Sequence, residues 1–306
     1  MSDFTTARVG VRVPATSANL VPGFDALGVA LGLHDELEAQ VLPQADAPSI
    51  EVEGEGAGSV PLDASHLVHR SMQVGFEALE VTTPAVELRC RNAVPHGRGL
   101  GSSSAAIVGG LALARALVTG GRQRMDDETL FGLAADIEGH PDNVAPAVFG
   151  GFTIAYEQDG VFRAVRLDVT SDVEFVALVP SDPLATEVAR GLLPETVPHR
   201  DAARNAGRAA LVVAGLTGRP DVLLAATEDL LHQHYRAPAM PDSAALVARL
   251  RAAGVAAVVS GAGPTVLAMV TTDRLEEALS SAPTGWRAHR LPIDPNGVRP
   301  LGAVLP

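Results

Sequence analysis

The sequence predicts an α+β fold. Stretches in which apolar and polar residues alternate indicate strands, and stretches with apolar residues three and four positions apart indicate helices. The two kinds of stretch follow one another without regular strand–helix–strand alternation, which disfavours a doubly wound parallel sheet. A chain of 306 residues has room for one large domain or two medium ones, and the composition changes near 158–168. We therefore expect domains at 1–165 and 166–306.

In the first half, short strands precede and follow a group of helices. The loop TSANLVPGFD separates the first two strands, and an acidic residue or a serine stands where two of the helices begin, as a cap requires. In chain order we predict strands at 9–13, 37–41 and 50–52, a helix at 63–79 capped by Asp63 or Ser65, a strand at 86–90, helices at about 102–118 and at 126–138 (capped by Asp126 or Asp127), a polar loop EGHPDNVAP, and a strand FTIAYE.

The second half mixes helices with strongly apolar strands. The run VAAVVS is wholly apolar before its serine, which is typical of a strand buried on both faces. In chain order we predict strands near 161–167 and 173–179, helices around 186–192, 199–216, 221–232 and 242–253, strands at 255–260 and 265–270, a short helix at 273–281 and a last strand at 286–291.

Composition excludes several classes of protein. The formal charge of −13 argues against nucleic-acid binding, for which a basic footprint is expected, and it requires a locally positive pocket for any anionic substrate. The single cysteine, Cys90, excludes an internal disulfide and a multi-cysteine metal site. No apolar stretch reaches the ~18–20 residues of a membrane span, and the first residues lack a signal-peptide pattern. We expect a soluble, cytoplasmic protein without a membrane partner.

The run PHGRGLGSSSAA, residues 95–106, has the pattern of a phosphate-binding loop. Its three glycines allow sharp turns and a close approach of the backbone to a ligand. Three serines follow where an alanine-rich helix is predicted to begin, and free N–H groups at a helix start favour a phosphate. The alternative is an ordinary glycine turn followed by a serine N-cap.

The absence of lysine narrows the kinds of phosphate site that are possible. All 23 basic residues are arginines, so a Walker A site, a lysine general base and a Schiff base are excluded. The dinucleotide fingerprint also fits poorly, because serine stands where its third glycine would be. A phosphate bound here must be held by backbone N–H groups, hydroxyls, arginine and metal.

Four separated segments together resemble the GHMP kinases, and within them the enzymes that phosphorylate homoserine. They are VPATSANLVPGFDALGVAL (13–31), the PxxxGLGSS loop (95–103), EGHPDNVAPAVFGGF (138–152) and SGAGPT (260–265). The resemblance implies an N-terminal, ATP-binding domain of the ribosomal-protein-S5 type and a ferredoxin-like C-terminal domain. It also implies transfer of the γ-phosphoryl group of ATP to the side-chain hydroxyl of L-homoserine, a step toward threonine.

The resemblance assigns residues to ATP and to Mg²⁺. Ser103 and Glu138 would hold the metal, although Ser102 or Ser104 could replace Ser103 because the serine triplet leaves the register open. Mg²⁺ needs only one or two protein ligands, since it keeps several waters. The residues expected to bind the nucleotide are Pro95, His96, Gly97, Arg98, Gly99, Leu100, Gly101, Ser102, Ser103, Ser104 and Ala105.

The same resemblance assigns residues to the amino-acid substrate. The guanidinium groups of Arg190 and Arg236 would bind its carboxylate, for which a planar fork is suited. Thr186 lies one helical turn before Arg190 and would face the transferring phosphate. Asp25 would pair with the ammonium group and Asn143 would orient the hydroxyl. Asn19 and His140 complete the predicted pocket.

The sequence leaves three questions open. No dedicated general base is expected, because with a loose transition state the proton can leave late, directly to the phosphate. Two alternative functions remain: a GHMP kinase for another small alcohol, and a nucleotide-binding regulator without turnover. A homodimer is compatible with the resemblance, and nothing in the sequence decides it.

Overall fold

The computed structural model describes residues 3–301 and confirms the α+β class, with strands in two separate sheets. The strands are β1 (Val9–Ala18), β2 (Leu27–Val41), β3 (Ser49–Gly54), β4 (Val86–Asn92), β5 (Phe152–Gln158), β6 (Val161–Leu167), β7 (Glu174–Val179), β8 (Ala256–Val259), β9 (Val266–Val270), β10 (Arg287–Arg290) and β11 (Arg299–Pro300). The α-helices are α1 (Leu67–Ala78), α2 (Ser102–Leu117), α3 (Gly121–Arg124), α4 (Asp127–Glu138), α5 (Pro141–Phe149), α6 (Thr186–Arg190), α7 (His199–Thr217), α8 (Leu223–Ala226), α9 (Gln233–Arg236), α10 (Pro241–Ala252) and α11 (Leu275–Ser280).

The first sheet has seven strands, in the order β11-β1-β2-β4-β3, with β5 and β6 attached through β2. Strand β2 is 15 residues long, so its second half pairs with β4 while its first residues pair with β5. The register between β1 and β2 shifts between Pro14 and Ala15, which marks a β-bulge. Strand β1 therefore continues past the proline, and the N–H of Thr16 donates to the carbonyl of Leu100 at 3.0 Å.

Helices α1, α2, α4 and α5 pack on this sheet and form its core. Leu88 from the sheet, Leu111 from α2 and Phe131 from α4 belong to one buried apolar cluster. Two glycines let α1 and α2 approach closely, because a side chain at Gly75 would collide with Ala114 and one at Gly110 with the backbone of α1. The rigid packing of α2 fixes the position of its N-terminal end, where the loop of residues 95–101, called the glycine loop below, joins the helix.

The second sheet has the order β10-β7-β9-β8 with antiparallel neighbours. Its elements follow one another as strand, helices, two strands, helix and strand, which is the ferredoxin-like βαββαβ arrangement that was expected. All residues of β8 and β9 are buried, which explains why their sequences are wholly apolar. A second apolar cluster contains Leu31 and Phe152 from the first sheet and Phe175 and Val258 from the second, and so joins the two sheets.

The predicted polar loop EGHPDNVAP is wrong, because Pro141–Phe149 forms helix α5. The two prolines and the charged residues had indicated a loop. Pro141 occupies the first helical position, where a missing N–H costs nothing. Pro146 lies inside the helix, and its ring and the carbonyl of Asp142 pack against Gly28, where a side chain would collide with both. Burial of this helix thus overrides the local preference of its prolines.

Other boundaries also differ from the prediction. Helix α1 begins at Leu67, and the carboxylate of Asp63 accepts from the N–H and hydroxyl of Ser65 in a turn instead of capping the helix. Asp126 is the expected cap of α4 and accepts from the N–H of Thr129 at 2.8 Å. The helix predicted over 221–232 is reduced to the single turn α8 after a 3₁₀ turn. Short-range patterns therefore located most elements but not their ends.

The division of the chain at 165/166 stays a prediction. After β10 the chain returns to the first sheet, where β11 pairs with β1 and Leu31 bridges to Ile293. Within residues 3–301, no helix has both the length and the apolar character needed to cross a membrane.

Candidate active site

The glycine loop and the start of α2 form one wall of a small cavity of about 70 Å³. Gly97, Gly99 and Gly101 all have left-handed φ values of +65°, +69° and +71°. A side chain at Gly99 would collide with the carbonyl of Ser260, and one at Gly101 with the hydroxyl of Thr16, so glycine is required for the close packing. No side chain caps α2, which leaves the N–H groups of its first turn free for an anion.

Two serines of the triplet contact Glu138 across this wall. The hydroxyls of Ser103 and Ser104 donate to Oε1 of Glu138 at 2.6 and 3.0 Å. Ser104 is fully buried, whereas Ser103 is exposed and lines the cavity with Glu138. The predicted pair Ser103 and Glu138 is therefore brought together, at the end of α4 and the beginning of α2.

The donor set at Ser103 and Glu138 fits Mg²⁺. A carboxylate and a hydroxyl are the hard oxygen ligands that this ion prefers, and two protein ligands suffice when phosphates and water supply the rest. Among residues 3–301, no group of three or more histidine, cysteine, aspartate or glutamate side chains could hold a metal by itself. A metal here would thus depend on ligands from a bound nucleotide.

The loop after β1 supplies two of the predicted substrate residues. Asn19, Leu20 and Val21 are consecutive residues with positive φ, a strained conformation that must be held by its surroundings. The side-chain amide of Asn19 donates to the carbonyl of Gly261 at 3.0 Å, and its oxygen accepts from the N–H of Asp25 at the same distance. Asn19 thereby connects the first predicted motif to the last one, SGAGPT.

Arg190 lies at the end of α6 and pairs with Asp25. Its Nη2 and Nη1 atoms lie 2.7 and 3.3 Å from the two carboxylate oxygens. Burial lowers the pKa of Arg190, but the hydrogen bond and charge of Asp25 outweigh it and the net shift is upward. Thr186, at the first position of α6, lines the cavity together with Arg190, as the spacing of one turn predicts.

Arg236 is a buried cation at the far side of the cavity. Only 2 % of the residue is exposed, its Nη1 donates to the carbonyl of Gly261 at 3.3 Å, and its Nε has no hydrogen-bond partner. Its guanidinium carbon lies 5.3 Å from the ring centre of Phe24. Burial, together with the nearby charge of Arg190, lowers its pKa. A buried cation with an unsatisfied donor is suited to an anionic ligand.

Helix α5 presents three polar side chains at its start. Nδ1 of His140 lies 2.9 Å from Oδ1 of Asp142, whose side chain is buried. Burial lowers the pKa of His140. The hydrogen bond to Asp142 and the negative charge of Asp142 raise this pKa by more, so the net shift is upward. The side-chain oxygen of Asn143 accepts from the hydroxyl of Thr16 at 2.9 Å, which leaves its NH₂ group for a ligand.

Several predicted loop residues do not face the small cavity. The guanidinium of Arg98 donates to the carbonyls of Pro180 and Ser181 and so anchors the loop to the segment before α6. Leu100 and Ala105 are buried in the core. These residues can contribute only backbone groups or loop rigidity to ligand binding. In contrast, the predicted residues that do line the small cavity are Asn19, Gly97, Gly99, Gly101, Ser102, Ser103, Glu138, His140, Asn143, Thr186, Arg190 and Arg236.

A second cavity, of about 310 Å³, adjoins the first and was not predicted from the sequence. Ser102 and Ser103 line both cavities. Most of its wall is apolar. No single motif predicts it, because the connection before α1, the start of α1, the end of β4 and the middle of β2 form it together with the glycine loop and α2. Its other lining residues are Asp35, Leu37, Val60, Pro61, Ser65, His66, Leu67, Val68, Asn92, His96 and Ala106.

Comparison with known proteins defines the class. The family model for the N-terminal domain of GHMP kinases matches residues 66–151, and that for the C-terminal domain matches 210–288. The chain therefore has the fold of a GHMP kinase and belongs to that class. Among curated proteins, homoserine kinase of Streptomyces coelicolor is 53 % identical over 97 % of this chain and 96 % of its own length. That of Rhodococcus erythropolis is 50 % identical over 86 % of each chain.

Solved structures agree with these relatives. A structure from Listeria monocytogenes is 31 % identical, with a TM-score of 0.77 over 96 % of this chain and 99 % of its own. The homoserine kinase of Cytophaga hutchinsonii, 24 % identical, shares the fold with a TM-score of 0.83 over 98 % of both chains. Within the GHMP kinases, the chain belongs to the homoserine kinase family.

Proposed function

We propose that this chain transfers the γ-phosphoryl group of ATP to the side-chain hydroxyl of L-homoserine, giving O-phospho-L-homoserine and ADP. The bond between the γ-phosphorus and its bridging oxygen breaks, a bond from phosphorus to the substrate oxygen forms, and the hydroxyl proton is released. The observation that carries the proposal is a single cavity lined by the glycine loop, by Glu138 and by Arg190 and Arg236. Phosphate-binding and carboxylate-binding groups thus face the same small space.

The nucleotide would span both cavities. Its phosphates would lie on the glycine loop and the first turn of α2, and its base would enter the larger apolar cavity, since Ser102 and Ser103 border both. When bound at Ser103 and Glu138, Mg²⁺ would neutralise charge on the β- and γ-phosphate oxygens. The residues of the chain would do the rest: N–H groups hold the phosphates and arginines fix the acceptor.

Homoserine carries an ammonium group, a carboxylate and the hydroxyl to be phosphorylated. Arg190 and Arg236 would bind the carboxylate, Asp25 the ammonium group, and the NH₂ of Asn143 the hydroxyl oxygen. Thr186 would face the transferring phosphoryl group, and Asn19 and His140 would close the pocket. Holding the acceptor in line with the phosphate is the main task, because a loose transition state needs positioning and charge stabilisation more than covalent chemistry.

We propose that no dedicated general base takes the hydroxyl proton. The carboxylates near the cavity already have partners: Asp142 contacts His140, Asp25 pairs with Arg190, and Glu138 accepts from two serines. The proton would leave late, directly to the phosphate. An Asp142→Asn variant should then keep kcat within about 10³-fold, since removal of a general base can cost 10²–10⁴-fold. A larger loss with homoserine binding intact would make Asp142 the base.

The proposal is tested by ADP release from Mg-ATP with L-homoserine, L-serine, L-threonine, mevalonate and galactose as acceptors. Strong stimulation by homoserine alone is expected. Stimulation by a different alcohol would favour another GHMP kinase activity, and ATP binding without turnover on any acceptor would favour a regulator. We also propose that the protein acts in the cytoplasm, where ATP and free amino acids are available.

A further inference from the structure

The larger cavity contains one charged side chain that nothing in the proposed reaction uses. Asp35 lies in β2, is only 3 % exposed and lines the cavity wall. Its Oδ1 accepts from the N–H groups of Ala93 and Val94 at 2.8 and 2.9 Å. These residues directly precede the glycine loop, so Asp35 fixes the point at which that loop leaves β4.

The second carboxylate oxygen of Asp35 has no hydrogen-bond partner among residues 3–301. Both of the hydrogen bonds made by the side chain go to Oδ1. The neighbouring His34 forms an ion pair with Asp294 instead. The other polar residues on this wall are Ser65, His66, Asn92, His96, Ser102 and Ser103. The Oδ2 atom of Asp35 is thus an acceptor at the cavity wall that a ligand with a donor group can use. On the same wall, the buried Nδ1 atom of His66 also has no hydrogen-bond partner within the described part of the chain.

The charge state of Asp35 agrees with an acceptor role. The pKa of Asp35 is raised to about 6 as the net result of several effects. Burial raises it, the hydrogen bonds from Val94 and Ala93 lower it, the negative charge of Glu55 raises it, and His34 lowers it. Asp35 is therefore mainly ionised near pH 7.5, when both of its oxygens can only accept. Burial lowers the pKa of both His66 and His96, which leaves these imidazoles uncharged at that pH and unable to neutralise the carboxylate.

We propose that Asp35 selects the nucleotide base, its free Oδ2 accepting a hydrogen bond from the exocyclic amino group of adenine. This inference rests on the proposed use of ATP and extends it to base specificity. Apolar walls at Leu37, Val60 and Val68 suit the faces of a planar base, and the carboxylate supplies the one directional contact at its edge. A keto oxygen at the same place would face a second acceptor and be rejected.

The test compares ATP with ITP, in which a keto oxygen replaces the 6-amino group. The wild type should prefer ATP by at least about 10-fold, both in kcat/KM with homoserine and in calorimetric affinity without acceptor, since a hydrogen bond to a charged group contributes roughly 1.5–3 kcal/mol. In Asp35→Asn, Oδ1 can still accept from Ala93 and Val94, while Nδ2 now donates into the cavity. The ATP/ITP preference should fall by about 10-fold or more, or reverse.

Asp126→Asn is the matched control, because Asp126, the N-cap of α4, also accepts from a backbone N–H but does not line the cavity. Its ATP/ITP ratio should equal that of the wild type. Equal losses for both nucleotides in Asp35→Asn would overturn the inference, because Asp35 would then act only on the loop. The wild type alone provides a second test: purine riboside triphosphate, which has no 6-substituent, should bind at least about 10-fold more weakly than ATP, and equal binding contradicts the inference.

Failure of the reaction and failure of this inference give different results. If calorimetry shows an ATP/ITP preference that Asp35→Asn removes, but homoserine releases no ADP, the inference about Asp35 is supported and the proposed phosphoryl transfer is wrong. If homoserine releases ADP equally well with ATP and ITP, the reaction stands and the role of Asp35 in base selection is excluded.

Discussion

Arg190 and Asp25 form a two-point ion pair, although they lie 165 residues apart in the chain. Arg190 is predicted to bind the carboxylate of an amino acid, and Asp25 is predicted to bind its ammonium group. In the free protein each satisfies the other, so both charges are neutralised before substrate arrives. A zwitterion can replace both contacts at once, whereas a ligand with a single charge leaves one partner unpaired. We expect this arrangement to select zwitterionic alcohols.

Asp25→Asn should raise KM for homoserine by about 10- to 100-fold, because a hydrogen bond between charged groups is lost. KM for ATP should stay within about twofold. Steady-state kinetics with each substrate varied in turn provides the measurement. Asp221→Asn, which removes the partner of Arg219 in an exposed two-point pair, is the control and should change neither constant. An unchanged homoserine KM in Asp25→Asn would exclude the ammonium contact.

Arg190→Lys should lower kcat/KM for homoserine by about 10- to 100-fold, since an ammonium group keeps the charge but cannot form the fork-shaped contact. Arg219→Lys makes the same chemical change in a pair of similar geometry on the surface and should have no effect. The comparison uses the ADP-release rate at subsaturating homoserine. Activity that survives Arg190→Lys would show that only charge, and not geometry, is needed there.

Gly101→Ala should abolish measurable ATP binding and lower the free energy of unfolding by about 2–4 kcal/mol. The left-handed backbone accounts for about 1–2 kcal/mol, and the collision with the hydroxyl of Thr16 for the rest. Gly120→Ala is the matched control, because Gly120 also has a left-handed φ before a helix, but a side chain there would make only an ordinary contact, with Oε1 of Gln123 at 3.8 Å. It should lose only about 1–2 kcal/mol in urea unfolding and bind ATP normally. Equal effects on ATP affinity would contradict a role of the loop in phosphate binding.

Mg²⁺ should increase the affinity for ATP in the wild type. Glu138→Gln and Ser103→Ala should each reduce this increase by about 10-fold or more, as expected for loss of a metal ligand. Ser104→Ala should leave it unchanged, since Ser104 is buried and only supports Glu138. Calorimetric titration of ATP at several Mg²⁺ concentrations distinguishes the variants. If Ser104→Ala has a larger effect than Ser103→Ala, then Ser104 and not Ser103 is the serine that binds the metal. Glu128→Gln, on the exposed start of α4, serves as the control.

Asp35 should make the protein less stable as the pH rises from about 4 to about 6. Its folded-state pKa of about 6 lies above the ordinary aspartate value of 3.8, so over this range the folded state holds a proton that the unfolded state has lost. The free energy of unfolding should fall by about 3 kcal/mol from this group. Urea unfolding at pH 4 and pH 7 gives the change in the free energy of unfolding for each protein. The difference between this change in the wild type and in Asp35→Asn measures the contribution of Asp35. The same pH dependence in both proteins would exclude it.

Local patterns in the sequence predicted most strands, the helix after the glycine loop and the motifs that line the small cavity. They did so because each motif requires unusual residues, such as glycines with positive φ or a cap at Asp126. The patterns failed where tertiary packing decides the conformation. Burial of α5 against Gly28 outweighs its two prolines. The larger cavity is formed by three separated segments, of which only the one that contains the glycine loop carries a motif. The pairing of Arg190 with Asp25 likewise depends on how the two sheets are joined.

The most direct test of the proposed reaction is phosphorus-31 NMR of the purified protein with Mg-ATP and L-homoserine. We predict that the γ-phosphate signal is replaced by ADP signals and one phosphomonoester signal in equal amounts, with the new signal coupled to the methylene protons of homoserine. Formation of inorganic phosphate alone would show hydrolysis without transfer. An unchanged spectrum, with ATP bound, would contradict the assignment of this cavity to homoserine phosphorylation.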